Sequence, residues 1–195
     1  MNNYVVIASQ YRGTDGGEGQ EEFGGMDINN VLNLIPLAKS LSFTDSSKIV
    51  MLGYSGGGMM SYIAIKNKIG IKAGAIVGGV TDLIQLYNER GPDMKNVLIE
   101  LIGGTPTTKE NEYKNRSAVY WPEKLNLPIL ILHGENDWKV NVTQVQKLAV
   151  QLNQLGYTHK LIVYPNGDHG LSTHSILRDR EILNWFSKYQ NEKLD

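Results

Sequence analysis

One serine in this chain stands between glycines where β-forming residues give way to a helix-like stretch. It is Ser55, in Gly53-Tyr54-Ser55-Gly56-Gly57, within LGYSGGGMM (52–60). Small neighbours let a strand and a helix approach closely and hold the serine in a strained turn, its hydroxyl exposed to a substrate carbonyl. The helix N-terminus behind it favours the negative charge of an oxyanion. The same residues also suit a plain glycine-rich turn in which Ser55 only caps the helix. A serine hydroxyl is a poor nucleophile without a base, so the histidines bear on the choice.

There are four. His133 closes an apolar run and precedes Gly134, which suits a packing role. His159 begins another run and is expected to be exposed. His174 falls in the first turn of the last helical pattern. His169 lies in PNGDHGL, a tight polar loop after the last apolar run, where its imidazole can reach the same end of a sheet as Ser55. A base of this kind needs an acid to fix its tautomer and stabilise the imidazolium. Glu135 and Asp137 in LHGENDWKV are candidates, as is Asp168 beside the histidine. A carboxylate adjacent in sequence is poorly placed to face the ring's Nδ1. Asp137 comes from a separate strand end and is the better candidate, although Asn136-Asp137 is also good turn chemistry. Ser55, Asp137 and His169 thus appear in the chain order of α/β-hydrolases, not that of the chymotrypsin or subtilisin folds.

The elements that must position these residues read as alternating strands and helices. Segments 4–11, 48–55, 73–80, 128–134 and 159–165 are short apolar runs, most of them nearly continuous, as for strands covered on both faces. Between them lie amphipathic stretches at 27–41, where Asp27 is placed to cap the start, and at 142–155 and 173–189. This alternation predicts an α/β fold of three αβα layers around a mostly parallel sheet. Residues 81–127 interrupt the rhythm with short helical pieces. They are expected as an insertion over the carboxyl ends of the strands, shaping a binding site or simply packing. No repeat or linker divides the chain, so 1–195 reads as one domain.

Composition narrows the function classes. With 195 residues and 41% hydrophobic content the chain can bury a sizeable core. A net charge of −1 gives no reason to expect a nucleic-acid or anionic-membrane partner. The absence of cysteine excludes disulfides, thiolate metal sites and a cysteine nucleophile. Nothing calls for a cofactor or a metal. No apolar run approaches a membrane span, and the first residues lack a basic signal-peptide start, so the cytoplasm is the default compartment. Homo-oligomerisation is left open.

The motifs together carry a resemblance. VVIASQYRGTDGGEGQEEFGGMDINNVL, GYSGGGMMSY, GVTDL, HGENDWKV and IVYPNGDHGL resemble, in order and spacing, the catalytic domain of the prolyl oligopeptidase family of serine peptidases. That resemblance runs almost end to end and implies the α/β-hydrolase fold. It implies Ser55 as nucleophile, Asp137 as orienting acid and His169 as base, with Gly56 and Tyr54 as the oxyanion and substrate-binding positions. Peptides, particularly short ones, are the implied substrates, with esters and acylated amino acids close alternatives. The chain departs from the family in one respect. Nothing like the family's HGG-type loop, source of a second oxyanion donor, precedes Ser55. The fold is therefore expected to be N-terminally shortened, with residues 4–11 pairing directly with 48–55, detaching, or leaving a gap one strand wide. A catalytically weak domain is the competing expectation. A metal hydrolase built on His133, Asp137 and His169 has no supporting spacing.

Overall fold

Among the described residues, four strands lie side by side and all run parallel: β1 (Met51–Tyr54), β2 (Gly74–Val77), β3 (Ile129–Gly134) and β4 (His159–Tyr164). The structure, a computed structural model, describes residues 4–191. Two short helices, α1 (Ile28–Leu32) and α2 (Leu34–Ser40), precede β1. After β1 comes α3 (Gly56–Lys66). After β2 come α4 (Leu83–Glu89), α5 (Pro92–Ile102) and α6 (Glu110–Asn115), with 3-10 turns at Ala118–Tyr120 and Pro122–Lys124. After β3 comes α7 (Val142–Gln154). A 3-10 turn at Ser172–His174 then leads from β4 into α8 (Ser175–Tyr189).

The strand sequences explain the layers. β2 and β3 are buried along their whole length, so both faces must be apolar. Ile76, Ile129 and Ile131 pack with Met59 and Ile63 of α3 and with Val145, Leu148 and Leu152 of α7. The alternate residues Ala75, Val77, Leu130 and Leu132 pack with Ile182, Trp185 and Phe186 of α8. The period of two along each strand thus feeds two cores, one per face. Segment 81–127 belongs to the first core, where Leu83, Leu98, Tyr113 and Leu125 are fully buried. Its start is tied to α7, because the Thr81 and Asp82 amides both donate to Gln144 Oε1. Asp82 also caps α4, accepting from the Ile84 and Gln85 amides. Among the described residues no helix is long and apolar enough to cross a membrane.

Three expectations change. Residues 4–11 form no strand. They pair neither with β1 nor with any other strand. Val6 stands 84% exposed, and Tyr4 instead donates to Gln190 Oε1 at 3.0 Å and lies beside the Phe186 ring. An apolar run becomes a strand only where a ladder partner accepts it. The expected helix at 27–41 is two helices that meet at Asn33. Pro36 has no amide to donate to the Leu32 carbonyl four residues back, and α1 ends at Leu32. Asp27 does not cap that helix. Its buried carboxylate accepts from the Glu22 and Gly24 amides and closes the loop before it.

Helix α3 approaches β2 closely at Gly58. A Cβ on Gly58 would lie 2.7 Å from Ile76 Cγ2 and 2.8 Å from Gly79 Cα, whereas one on Gly56 would meet no atom within 4 Å. Gly58→Ala is therefore expected to destabilise the fold by about 1–3 kcal/mol through overpacking. Gly56→Ala, two residues earlier, should be neutral or stabilising by up to about 1 kcal/mol. Urea denaturation of the two variants checks this, and equal effects would show that helix and sheet do not meet at Gly58.

Candidate active site

The parallel sheet brings the carboxyl ends of β1, β3 and β4 to one side, and the candidate residues follow those ends. Ser55 comes directly after β1 with φ 51° and ψ −119°, a conformation that L residues rarely adopt. Its amide donates to the Val77 carbonyl at 2.9 Å, and its carbonyl accepts from the Gly58 and Met59 amides. It occupies the N-cap position of α3, yet its side chain makes no capping bond. The hydroxyl is left for other work, and the helix-capping alternative does not describe it. Gly56 opens α3, so its amide has no intrahelical acceptor and forms part of the positive end of the helix dipole.

Asp137 follows β3 and sits in a turn that uses both carboxylate oxygens. Oδ1 accepts from the Lys139 amide at 2.9 Å and the Val140 amide at 3.0 Å. Oδ2 lies 2.8 Å from His169 Nδ1. The carboxylate side chain is fully buried, and that of His169 is 17% exposed. An ionised carboxylate only accepts, so Nδ1 carries the ring proton and the Nε2 lone pair is left available. The structure therefore brings Asp137 and His169 together. Ser55 Oγ and His169 Nε2 are not hydrogen-bonded to each other; such bonds are often long before substrate is present. The ring nevertheless lies beside the strand neighbour of Ser55. Ser55 bonds to Val77, and the next residue, Gly78, has φ 57° and no side chain, where a Cβ would lie 2.6 Å from the His169 carbonyl and 3.2 Å from its Nδ1.

The other candidates have other roles. Asp168 accepts from the Ser172 amide and hydroxyl, starting the 3-10 turn, and does not face His169. Glu135 Oε2 accepts from the Asn166 amide, and the Asn136 amide donates to the Gly167 carbonyl. These two bonds stitch the histidine loop to the acid's loop. His174 ends the 3-10 turn before α8, close to the Tyr164 ring. His159 is half-buried, not exposed as expected, and its Nδ1 bonds the Tyr157 carbonyl. Tyr54 is half-exposed with its ring under the Arg178 guanidinium at 5.4 Å. Burial raises its phenol above the ordinary value, with Arg178 opposing.

Sequence reasoning missed three neighbours. His133 is fully buried, with Nε2 2.8 Å from the Val140 carbonyl and 3.2 Å from Asp137 Oδ2. A carbonyl only accepts, so Nε2 carries the proton, and Asp137 receives N–H groups from two imidazoles. The residues His133, Asp137 and His169 thus face one another through protons, not through lone pairs free for a metal. Trp138, at the tip of the Asp137 turn, is 71% exposed and flanked by Arg90 and Lys139. Tyr11 Oη lies near the first turn of α3, 3.6 Å from where a Gly57 Cβ would be. Only the fold reveals these, because each partner is distant in sequence or chosen by loop shape.

Burial alone would raise the Asp137 carboxyl. The donors from His133, His169 and the Val140 amide outweigh it and hold the group well below the ordinary 3.8. A folded-state value below the unfolded one means that ionised Asp137 contributes stability above the unfolded value. That contribution is lost as pH falls through the folded value. Asp137→Asn should therefore unfold more easily than the parent at neutral pH, and the gap should narrow below about pH 4. Urea unfolding of both proteins across that range is the measurement, and a gap independent of pH would contradict it.

Comparison with known proteins agrees with this architecture. The sequence matches the prolyl oligopeptidase family over residues 1–193. It is 34% identical to the uncharacterized peptidase YtmA of Bacillus subtilis (strain 168) over 154 residues, 78% of this chain and 59% of that protein. It is 26% identical to acylamino-acid-releasing enzyme 1 of Oryza sativa subsp. japonica, across 86% of this chain and 24% of that one. The chain spans less than two thirds of either relative's length. Among solved structures, a Mycobacterium tuberculosis puromycin-hydrolyzing peptidase superposes with a TM-score of 0.80 at 22% identity, over 88% of this chain and 26% of that one. Pyrococcus horikoshii acylaminoacyl peptidase does so with 0.76 at 20% identity, over 90% and 30%. The fold is that of the α/β-hydrolase peptidases, and the chain belongs to the prolyl oligopeptidase family.

Proposed function

We propose that this chain carries the catalytic centre of a serine hydrolase that cleaves short peptides through an acyl-enzyme. The observation that carries the reading is the buried 2.8 Å contact between Asp137 Oδ2 and His169 Nδ1, at the same end of the sheet as a serine held at positive φ. Ser55 Oγ attacks the scissile carbonyl as His169 Nε2 takes its proton. Asp137 stabilises the resulting imidazolium and keeps the ring from turning. The negative oxygen that develops is met by the Gly56 amide at the start of α3. His169 then gives its proton to the departing amine, leaving Ser55 acylated. A water activated by the same nitrogen releases the acid product and restores the serine.

The same steps cleave esters and acylated amino acids. The second substrate class is favoured by the relatives whose names refer to acylamino acids. An activity screen with short peptides, acylated amino acids and simple esters separates these classes. A fluorophosphonate probe tests the serine independently of substrate.

Ser55→Ala is expected to abolish probe labelling and to lower turnover by about 10⁶-fold, as for other triad nucleophiles. The fold should be retained, since the hydroxyl caps nothing. An alanine variant that labels as well as the parent would remove Ser55 from the mechanism. Asp137→Asn is expected to lower turnover by about 10⁴-fold, because the wrong His169 tautomer is then favoured. Turnover close to the parent's would show that His169 does not depend on this acid.

A further inference from the structure

We propose that Arg178 is a positioning residue that clamps the loop bearing His169 to the strand end bearing Ser55. This inference rests on the catalytic roles proposed above. Arg178 lies in the first turn of α8, and its side chain is only 16% exposed. Its Nη1 donates to the Gly170 carbonyl at 2.7 Å. Its guanidinium carbon lies over the Tyr54 ring, 5.4 Å from the centroid. Its Nε donates to Asp179 Oδ1 at 2.7 Å, which fixes the plane of the group. Gly170 immediately follows His169, and Tyr54 immediately precedes Ser55. One side chain therefore touches the backbone neighbour of the proposed base and the side chain next to the proposed nucleophile.

The remaining contacts of the histidine loop run mostly the other way. Gly167 and Asn166 are bonded to Asn136 and Glu135, and His169 is bonded to Asp137. Those bonds register the base against its acid, on the β3 side. They leave its distance from the nucleophile to backbone packing at Gly78 and to Arg178. The chemistry of the group suits this. A planar guanidinium can stack on a ring with its face and donate along its edge at the same time, whereas an ammonium cannot do both in fixed geometry. A misplacement of about 1 Å between reacting groups can lower turnover by about 10²-fold.

The test compares Arg178→Met, Arg178→Lys and Arg178→Ala with the parent chain. Arg178→Met keeps the bulk and loses charge and donors. We expect kcat to fall by about 10²-fold with KM little changed. Arg178→Lys should recover only part of it. Added guanidinium ion, at concentrations too low to denature, should restore kcat in Arg178→Ala. Hydrogen–deuterium exchange of residues 166–171 reads the clamp without reference to catalysis. It should quicken in Arg178→Met while amides of the β2–β3 ladder keep the parent's rate. Unchanged kcat, a change in KM alone, or unchanged loop exchange would overturn the proposal. If the parent hydrolyses nothing, the catalytic reading has failed, and loop exchange alone decides whether Arg178 clamps the loop. If Arg178→Met does not fold, Arg178→Lys and guanidinium-treated Arg178→Ala supply the same comparison.

Discussion

The buried carboxylate of Asp137 is the interaction on which the site depends. A charge without solvent is costly unless its oxygens are saturated by donors. Here two amides of its own turn and two imidazoles supply them. The same donors that keep the group ionised also build the turn after β3 and orient His169. The acid is therefore not added to a finished scaffold. Its need for partners shapes the scaffold around it, and the imidazole held by that need is left with one nitrogen free.

The parallel sheet makes this assembly possible at long sequence separations. Each crossover returns the chain to the same end, so residues 55, 137 and 169 all emerge there although helices intervene. Gly78 and the two loop-to-loop bonds then set the approach between neighbouring ends. The helices of 81–127 add a buried wall to one core and leave their polar faces outward.

How much of this was readable in the sequence follows from where the information resides. β2 and β3 were legible because burial on both faces imposes an apolar run with no polar gaps. Ser55 was legible because Gly53 before it and Gly58 after it are demanded by close packing. Asp137 over Asp168 was legible because a neighbour in sequence cannot reach its own neighbour's Nδ1. The false strand at 4–11 shows the limit: its residues suit a strand, but pairing depends on a partner that no local pattern reports. The break at Asn33 was visible in Pro36, which the apolar stripe of 27–41 masked. Asp27 resembled a helix cap because its type fits, and the loop before it took its oxygens first. Arg178, Tyr11 and the contact of His133 with Asp137 depend on side-chain reach across the fold.

The backbone of Ser55 has a consequence of a different kind. A non-glycine residue at φ 51° and ψ −119° costs on the order of 1–3 kcal/mol relative to relaxed backbone. Glycine would hold the same turn with less strain, and it already occupies the next three positions. Drift freed from any duty at this position would thus be rewarded with a sturdier protein, since most chains sit close to their stability threshold. The serine at position 55 stands against that gradient, and the catalytic use proposed for its hydroxyl is the kind of duty that would offset it.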